Sequence, residues 1–127
     1  MNNNNSTLLY KNSKFIKELT PSNFNNNLTP KTKKPTLVKF YAHWCPHCTD
    51  PETHEFMEAL AETLPKKANI DVAAFSCESS NNHSNFARKA RIAGYPTFRY
   101  YNKNGKISDY NGPRNVEALL QFMLKNS

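Results

Sequence analysis

The stretch LVKFYAHWCPHC, residues 37–48, joins an apolar run to two cysteines that are separated by two residues. The run at residues 36–42 is short and mostly apolar, which is typical of a buried strand. A long helical pattern follows the cysteines and extends to about Leu64. The cysteine pair is therefore predicted to lie where a strand leads into a helix. One residue of the predicted strand, Lys39, is charged and interrupts its apolar pattern.

Five strands and four helices are predicted along the chain. The strands are expected at residues 14–19, 36–42, 70–77, 96–101 and 106–110. The helices are expected to be a short one beginning at Pro21 with Phe24 and Leu28 on one face, a long one that Pro65 ends, a third at residues 82–90, and a last one opened by Gly112 and Pro113. The order β-α-β-α-β-α-β-β-α predicts an α/β fold with a central mixed sheet flanked by helices.

Length and composition fit one domain with one core, since the chain has 127 residues and 38 % of them are hydrophobic. Residues 1–12 are rich in Asn and predict a flexible tail before a domain at residues 13–127. The sequence has no membrane-length apolar run, no signal-peptide pattern and no C-terminal ER-retention signal. We therefore expect the cytosol or another non-ER compartment, such as a virus particle, unless a targeting segment is missing.

Basic residues give the chain a formal net charge of +7 and cluster at residues 31–34 and 88–91. Such clusters attract nucleic acid, membrane surfaces or acidic proteins. No RNA-binding aromatic signature and no zinc-finger spacing accompanies them. We expect a solvated basic surface, with neither nucleic acid nor a membrane as partner.

The CPHC motif has the features of a reactive dithiol. Cys45 is expected at a helix N-terminus, where free backbone N–H groups and the helix dipole favour the thiolate. Pro46 fits the first helical position, and His47, when protonated, adds a positive charge beside the sulfur. Cys48 follows one turn later. Cys45 would attack a disulfide and Cys48 would resolve the mixed disulfide, or the reverse order would donate one.

A zinc site is the competing interpretation of the motif, because CxxC supplies two ligands and His43, His47 and His54 are nearby. A structural zinc site usually needs a second ligand pair at similar spacing, and the sequence has none. We favour a redox pair that uses neither a metal nor an external cofactor. The third cysteine, Cys77, has no partner in sequence and is expected to be a buried strand thiol.

Three motifs in order resemble a known family. FYAHWCPHC, residues 40–48, is similar to the active-site segment of thioredoxin-fold proteins, and most similar to protein disulfide isomerase catalytic domains. GYPTF, residues 94–98, resembles the family's cis-proline loop, and YNGPR, residues 110–114, resembles the segment before its last helix. The resemblance covers residues 13–125. It implies a thioredoxin fold and a thiol–disulfide oxidoreductase acting on protein or peptide substrates.

The resemblance also implies roles for single residues. Cys45 would be the exposed nucleophile and Cys48 the buried resolving thiol. Arg114 matches an arginine that moves toward the resolving cysteine and lowers its pKa. The implied substrate surface consists of Trp44 beside the disulfide, Pro96 in the cis form, and the Tyr95 backbone, which would pair with an extended substrate segment.

Lys39 departs from the family pattern, which usually has a buried acid six residues before the first cysteine. The family also tends to have a lysine on the next strand to pair with that acid, and here this position is Ala74. Three interpretations of Lys39 remain open. Its ammonium extends to the surface; its charge favours the thiolate of Cys48 or Cys45; or, neutralised by burial, it accepts a proton.

The expected redox direction follows from these charges. Whatever stabilises the reduced thiolate makes the disulfide a better oxidant, and the helix N-terminus, His47 and Lys39 all act in that direction. We therefore favour a disulfide donor or isomerase, with a sulfhydryl oxidase or glutathione as its electron partner. The alternatives are a general thioredoxin-like reductase and a redox-inert module that holds peptides in a groove at Tyr95 and Pro96.

Overall fold

The computed structural model describes residues 7–127, which form a sheet with helices on both faces. The strands are β1 (Lys17–Leu19), β2 (Thr36–Tyr41), β3 (Asp71–Ser76), β4 (Thr97–Tyr101) and β5 (Ile107–Tyr110). The α-helices are α1 (Pro46–Thr49), α2 (Pro51–Lys67), α3 (Asn81–Lys89) and α4 (Val116–Lys125).

The sheet has the strand order β1-β3-β2-β4-β5. β1, β3 and β2 run parallel, β4 is antiparallel to β2, and β5 is antiparallel to β4. This arrangement confirms the predicted α/β architecture with a mixed sheet. β2 lies in the middle and all of its residues are buried, so the segment that follows it starts from the centre of the sheet.

Alternation along β2 sends its side chains into two separate apolar clusters. Leu37 and Tyr41 belong to the cluster beneath α2 and α4, which we call the helical-pair core. Val38 and Phe40 belong to a second cluster on the opposite face, next to α3, which we call the aromatic core. Lys39 has the same parity as Leu37 and Tyr41, and therefore faces the helical-pair core.

The helix after CPHC is broken, whereas the sequence predicts one continuous helix. Asp50 is extended (φ −69°, ψ 158°) and caps α2 by accepting a hydrogen bond from the Thr53 N–H at 2.7 Å. The break occurs here because the residue before a proline disfavours the helical region, and Pro51 follows Asp50. The prediction that Pro65 ends the helix is also wrong. Pro65 lies in the last turn, which the Ala68 N–H closes by bonding the Leu64 carbonyl.

Two elements before β2 are shorter than predicted. β1 begins at Lys17, because the Ser13 hydroxyl accepts a hydrogen bond from the Ile16 N–H at 3.0 Å and holds the preceding residues in a turn. The short helix at Pro21 is one 3-10 turn over Pro21–Asn23. Phe24 and Leu28 therefore share no helix face, and Leu28 has a positive φ of 63°, although both contact the aromatic core.

The last helix starts later than predicted. Asn115 is its N-cap and accepts a hydrogen bond from the Ala118 N–H at 2.8 Å. Gly112 and Pro113 therefore lie in the loop before it, and so does Arg114. The bounds of β2, β3, β4, β5 and α3 agree with the prediction within one residue at each end.

The predicted tail is partly ordered. Residues 1–6 lie outside the described residues, so the prediction of a flexible tail is untested there. Within residues 7–12, however, Tyr10 is only 3 % exposed and belongs to the helical-pair core. The domain thus begins before residue 13, because a buried aromatic ring holds the earlier segment in place. None of the helices in the described part of the chain is long and apolar enough to cross a membrane.

Candidate active site

The two CPHC thiols differ in accessibility. Cys45 is the N-cap of α1 and 8 % exposed, whereas Cys48, one turn later, is 1 % exposed. Both are free thiols, and the Cys45 S–H donates to the Tyr95 carbonyl at 3.7 Å. Cys45 is therefore the more accessible of the two thiols, and its sulfur lies beside the Tyr95 backbone.

Cys48 strongly retains its proton. Burial, with a smaller contribution from the neighbouring Cys45, raises the pKa of its thiol to about 11. A hydrogen bond from the Ala42 backbone and the positive charge of Lys39 act in the opposite direction. Thiolate formation at Cys48 therefore depends on a nearby group that takes the proton or stabilises the negative charge.

Lys39 lies directly behind the motif. The residue is 0 % exposed, and its ammonium donates to the Cys48 carbonyl at 2.7 Å and to the Tyr10 hydroxyl at 2.6 Å. Burial lowers the pKa of Lys39 from 10.5 to about 8. The interpretation in which this ammonium extends to the surface is wrong, because the side chain points inward along the face of β2 that packs on α2.

An acidic residue does lie near Lys39, but on a different strand. The family pattern has the acid at the position of Lys39 itself, whereas here it is on β1. Glu18 of β1 is level with Ala74 of β3, which in turn is level with Lys39. Its Oε2 accepts from the Tyr10 N–H at 2.9 Å and from the Tyr41 hydroxyl. Burial raises the pKa of Glu18. Glu18 is not recognisable from the sequence, because its only signal is a polar residue in a short edge strand.

The outer rim of the site is aromatic and partly exposed. Trp44 is 58 % exposed and meets the Tyr95 ring edge-to-face, with 6.2 Å between ring centroids. The peptide bond between Tyr95 and Pro96 is cis, as the resemblance implies. Glu78, which sequence reasoning missed, accepts from the Trp44 indole N–H at 2.7 Å and fixes that ring beside Cys45.

Arg114 contacts the back of the CPHC turn. Its guanidinium donates to the Thr53 hydroxyl at 2.6 Å and to the His47 carbonyl at 3.2 Å. Burial is the main cause of the lowered pKa of Lys39, and the positive charge of Arg114 lowers it further in the same direction. The side chains of Pro46 and His47 are exposed on the outer side of the turn.

Cys77 lies apart from this chemistry. It is 1 % exposed in the aromatic core, and burial raises the pKa of its thiol to about 12. Cys77 is therefore buried as predicted, but it lies in the turn directly after β3 and not in the strand. Among residues 7–127, no three His, Cys, Asp or Glu side chains are grouped as a metal ion would require.

Comparison with known proteins identifies the family. The family model described as thioredoxin matches residues 15–125. The chain belongs to the thioredoxin family. Protein disulfide-isomerase 1 of Dictyostelium discoideum is 34 % identical over 83 % of this chain and 28 % of its own length. The protein disulfide-isomerase of Saccharomyces cerevisiae is 37 % identical over 72 % of this chain and 17 % of its own length.

Solved structures support the same assignment. The first thioredoxin domain of mouse protein disulfide-isomerase A4 superimposes with a TM-score of 0.67 at 31 % identity, covering 85 % of this chain and 72 % of that one. The Trx4 domain of ERdj5 has the same fold, with a TM-score of 0.65 at 23 % identity over 88 % of this chain and 95 % of that one. The chain is thus a thioredoxin-fold domain related to the protein disulfide isomerases.

The thioredoxin domain described here spans about a quarter of the length of the curated relatives it matches. The relationship supports thiol–disulfide exchange as the kind of chemistry.

Proposed function

We propose that this thioredoxin-family domain is a protein thiol–disulfide oxidoreductase that forms or isomerises disulfides through Cys45 and Cys48. One observation carries the proposal: the more accessible thiol lies beside the Tyr95 carbonyl, and the buried thiol follows one turn behind it. This arrangement gives the two sulfurs different tasks. It requires no metal and no external cofactor.

The reaction has two exchange steps. In the reducing direction, the Cys45 thiolate attacks a substrate disulfide, forms a mixed disulfide and releases the first substrate thiolate. The Cys48 thiolate then attacks Cys45 Sγ, which closes the Cys45–Cys48 disulfide and releases the second. Two electrons pass to the substrate. Read in reverse, the same steps donate a disulfide, and repeated attack within one substrate isomerises it.

Lys39 is the proton partner of Cys48 in this proposal. Its side-chain nitrogen lies 2.7 Å from the Cys48 carbonyl, and burial lowers the pKa of the lysine, so a neutral amine forms more readily here than on an exposed lysine. The neutral amine then accepts the Cys48 proton, and the resulting ammonium stabilises the thiolate. Arg114, held at the His47 carbonyl, assists by adding positive charge behind the motif. His47 adds charge on the outer side when protonated.

The substrate surface is the rim that Trp44, Tyr95 and Pro96 form around Cys45. Trp44 offers an exposed aromatic face. The backbone of Tyr95, next to the cis bond, would pair with an extended substrate segment. We therefore propose protein or peptide disulfides and thiols as substrates, and not a small polar molecule.

An oxidising direction is supported by Lys39, a buried cation whose charge favours the reduced thiolate of Cys48. A sulfhydryl oxidase or glutathione would then regenerate the disulfide. The measurement that tests this is the Cys45–Cys48 reduction potential in a glutathione buffer. We expect a value above about −180 mV. A value near that of thioredoxin, roughly −270 mV, would instead indicate a general reductase and not a disulfide donor.

The activity itself is tested by disulfide exchange on an insulin-type substrate. We expect Cys45→Ser to abolish turnover, because no other accessible thiol replaces the nucleophile. Cys77→Ser is the matched control and should leave turnover unchanged, since that thiol is buried on the other face of the sheet. If the pair does not cycle, or if Cys45→Ser retains activity, a redox-inert peptide-binding module is the better description.

A further inference from the structure

The segment before β1 is fastened across the sheet at the end where CPHC begins. We call residues 7–10 the strap. The Thr7 carbonyl accepts from the Ser76 hydroxyl at 2.7 Å, and the Leu9 N–H donates to the Tyr41 hydroxyl at 2.8 Å. The Tyr10 N–H donates to Glu18 at 2.9 Å. Contacts to β3, β2 and β1 thus fix the strap in one position.

The strap carries one side chain into the interior, which is Tyr10. Its ring packs parallel to His54 with 6.4 Å between centroids and edge-on to Tyr41 at 5.9 Å. Its hydroxyl reaches the Lys39 ammonium at 2.6 Å. Packing on both sides of the ring fixes the direction in which this hydroxyl points.

Lys39 depends on that hydroxyl. A buried ammonium is costly unless its N–H groups are satisfied, and here the two acceptors are the Cys48 carbonyl and the Tyr10 oxygen. A phenol can both accept and donate. Tyr10 can therefore accept from the ammonium form and donate to the lone pair of the neutral amine. It suits both protonation states of a lysine that exchanges a proton with Cys48.

Glu18 completes the group from the other side. Its Oε2 holds the Tyr10 backbone and the Tyr41 hydroxyl, whereas its buried Oε1 has no hydrogen-bond partner within residues 7–127. A carboxylate placed in this way favours a positive charge on Lys39 without contacting it. The charged or titratable groups that face Lys39 from the surrounding elements are Tyr10, Glu18, Tyr41, Cys48, Asp50 and Arg114.

We propose that Tyr10 and Glu18 are positioning residues that set the protonation of Lys39, so that the strap is part of the proton-handling machinery behind Cys48. The inference rests on the proposed function, because Lys39 takes the Cys48 proton there. In that step the S–H bond breaks, an N–H bond forms, and thiol plus amine become thiolate plus ammonium. The new N–H is stabilised by the Tyr10 oxygen, whose position the strap and Glu18 hold.

The test follows the Lys39 side chain by NMR titration of the reduced full chain, with Lys39→Met assigning the resonance. In Tyr10→Phe we expect the pKa of Lys39 to fall by about one, because the ammonium loses a charge-assisted hydrogen bond while the ring still fills its place. Glu18→Gln should lower it as well, by a smaller amount. Tyr10→Ser should raise it, because water then reaches the ammonium.

Tyr100→Phe is the matched control. It removes another buried tyrosine hydroxyl, which contacts Ser127 and not Lys39, and should leave the Lys39 pKa unchanged. An unchanged Lys39 pKa in both Tyr10→Phe and Glu18→Gln overturns the inference. So does an equal shift in the control.

A second readout links the strap to the thiol. In a Cys45→Ser background, the pH dependence of the Cys48 alkylation rate should shift in Tyr10→Phe. It should be unchanged in Tyr100→Phe. The wild-type chain is assayed for disulfide exchange separately. Loss of cycling there rejects the proposed function, whereas normal cycling with a Lys39 titration insensitive to Tyr10 rejects only the positioning role.

Discussion

Two cations are buried on opposite faces of the same sheet, Lys39 on β2 and Arg99 on β4. Arg99 is 8 % exposed and makes hydrogen bonds to both carboxylate oxygens of Asp109, at 2.6 and 3.0 Å, and to the Ala90 carbonyl at 2.7 Å. Lys39 is 0 % exposed and makes two hydrogen bonds, both to uncharged oxygens. Within residues 7–127 it has no ion pair.

The protonation behaviour of the two side chains differs accordingly. The hydrogen bonds to Asp109 raise the pKa of Arg99, whereas burial lowers that of Lys39 to about 8. A cation with a matched counter-ion keeps its charge and has a structural role. One that is buried among neutral partners is held near its titration point, which is useful for exchanging a proton and costly for folding.

The largest expected effect is on the pH dependence of stability. The folded pKa of Lys39, about 8, lies below its ordinary 10.5, so between these values the unfolded chain binds a proton that the folded chain lacks. Stability therefore rises with pH in that window, by about 3 kcal/mol from this residue. Urea unfolding of the reduced wild type and of Lys39→Met, from pH 7 to pH 10.5, measures it. Parallel curves for the two proteins would contradict this account of Lys39.

The Arg99→Met variant should lose stability but keep the redox properties of the thiol pair. It leaves the Ala90 carbonyl without its donor and Asp109 without its partner, and we expect a loss of about 2 kcal/mol of unfolding free energy at pH 7. The Asp109 side chain is 41 % exposed, and its hydration limits the loss. The reduction potential of the thiol pair should not change. A clear shift in that potential would remove the distinction between the two cations.

Arg114 allows a smaller and finer test, because it is a third cation that acts on Lys39 only through space. Its charge lowers the Lys39 pKa, so Arg114→Met should raise that pKa by a few tenths. NMR titration of the Lys39 side chain gives the value. Lys66→Met, at the exposed far end of α2, removes the same charge and should have no effect.

Much of the fold was predictable because its signals are local. The apolar run of β2, the CPHC turn and the turn between β4 and β5 each depend on neighbours in the chain, and those elements lie where the sequence predicts them. The errors in helix bounds are also local. Asp50 and Asn115 are the N-caps of α2 and α4, and these caps set where the helices begin, whereas the apolar pattern predicts earlier starts.

The partners of Lys39 were not predictable in this way. Tyr10 lies 29 residues from Lys39 in sequence, within a polar stretch whose composition predicts a tail. Glu18 lies on an edge strand, where a charged residue is ordinary. Only the parallel pairing of β1, β3 and β2 brings these residues to one level of the sheet. The sequence therefore identified the unusual lysine without indicating the residues that surround it.

The bond from the Lys39 ammonium to the Cys48 carbonyl has a consequence for how this chain can change in evolution. It closes a ring that runs along β2 into the first turn of α1. A single-residue insertion or deletion between Lys39 and the end of β2 would turn the lysine to the opposite face of the sheet. Length changes between Lys39 and the end of β2 should therefore be absent from working descendants, even where substitutions are tolerated.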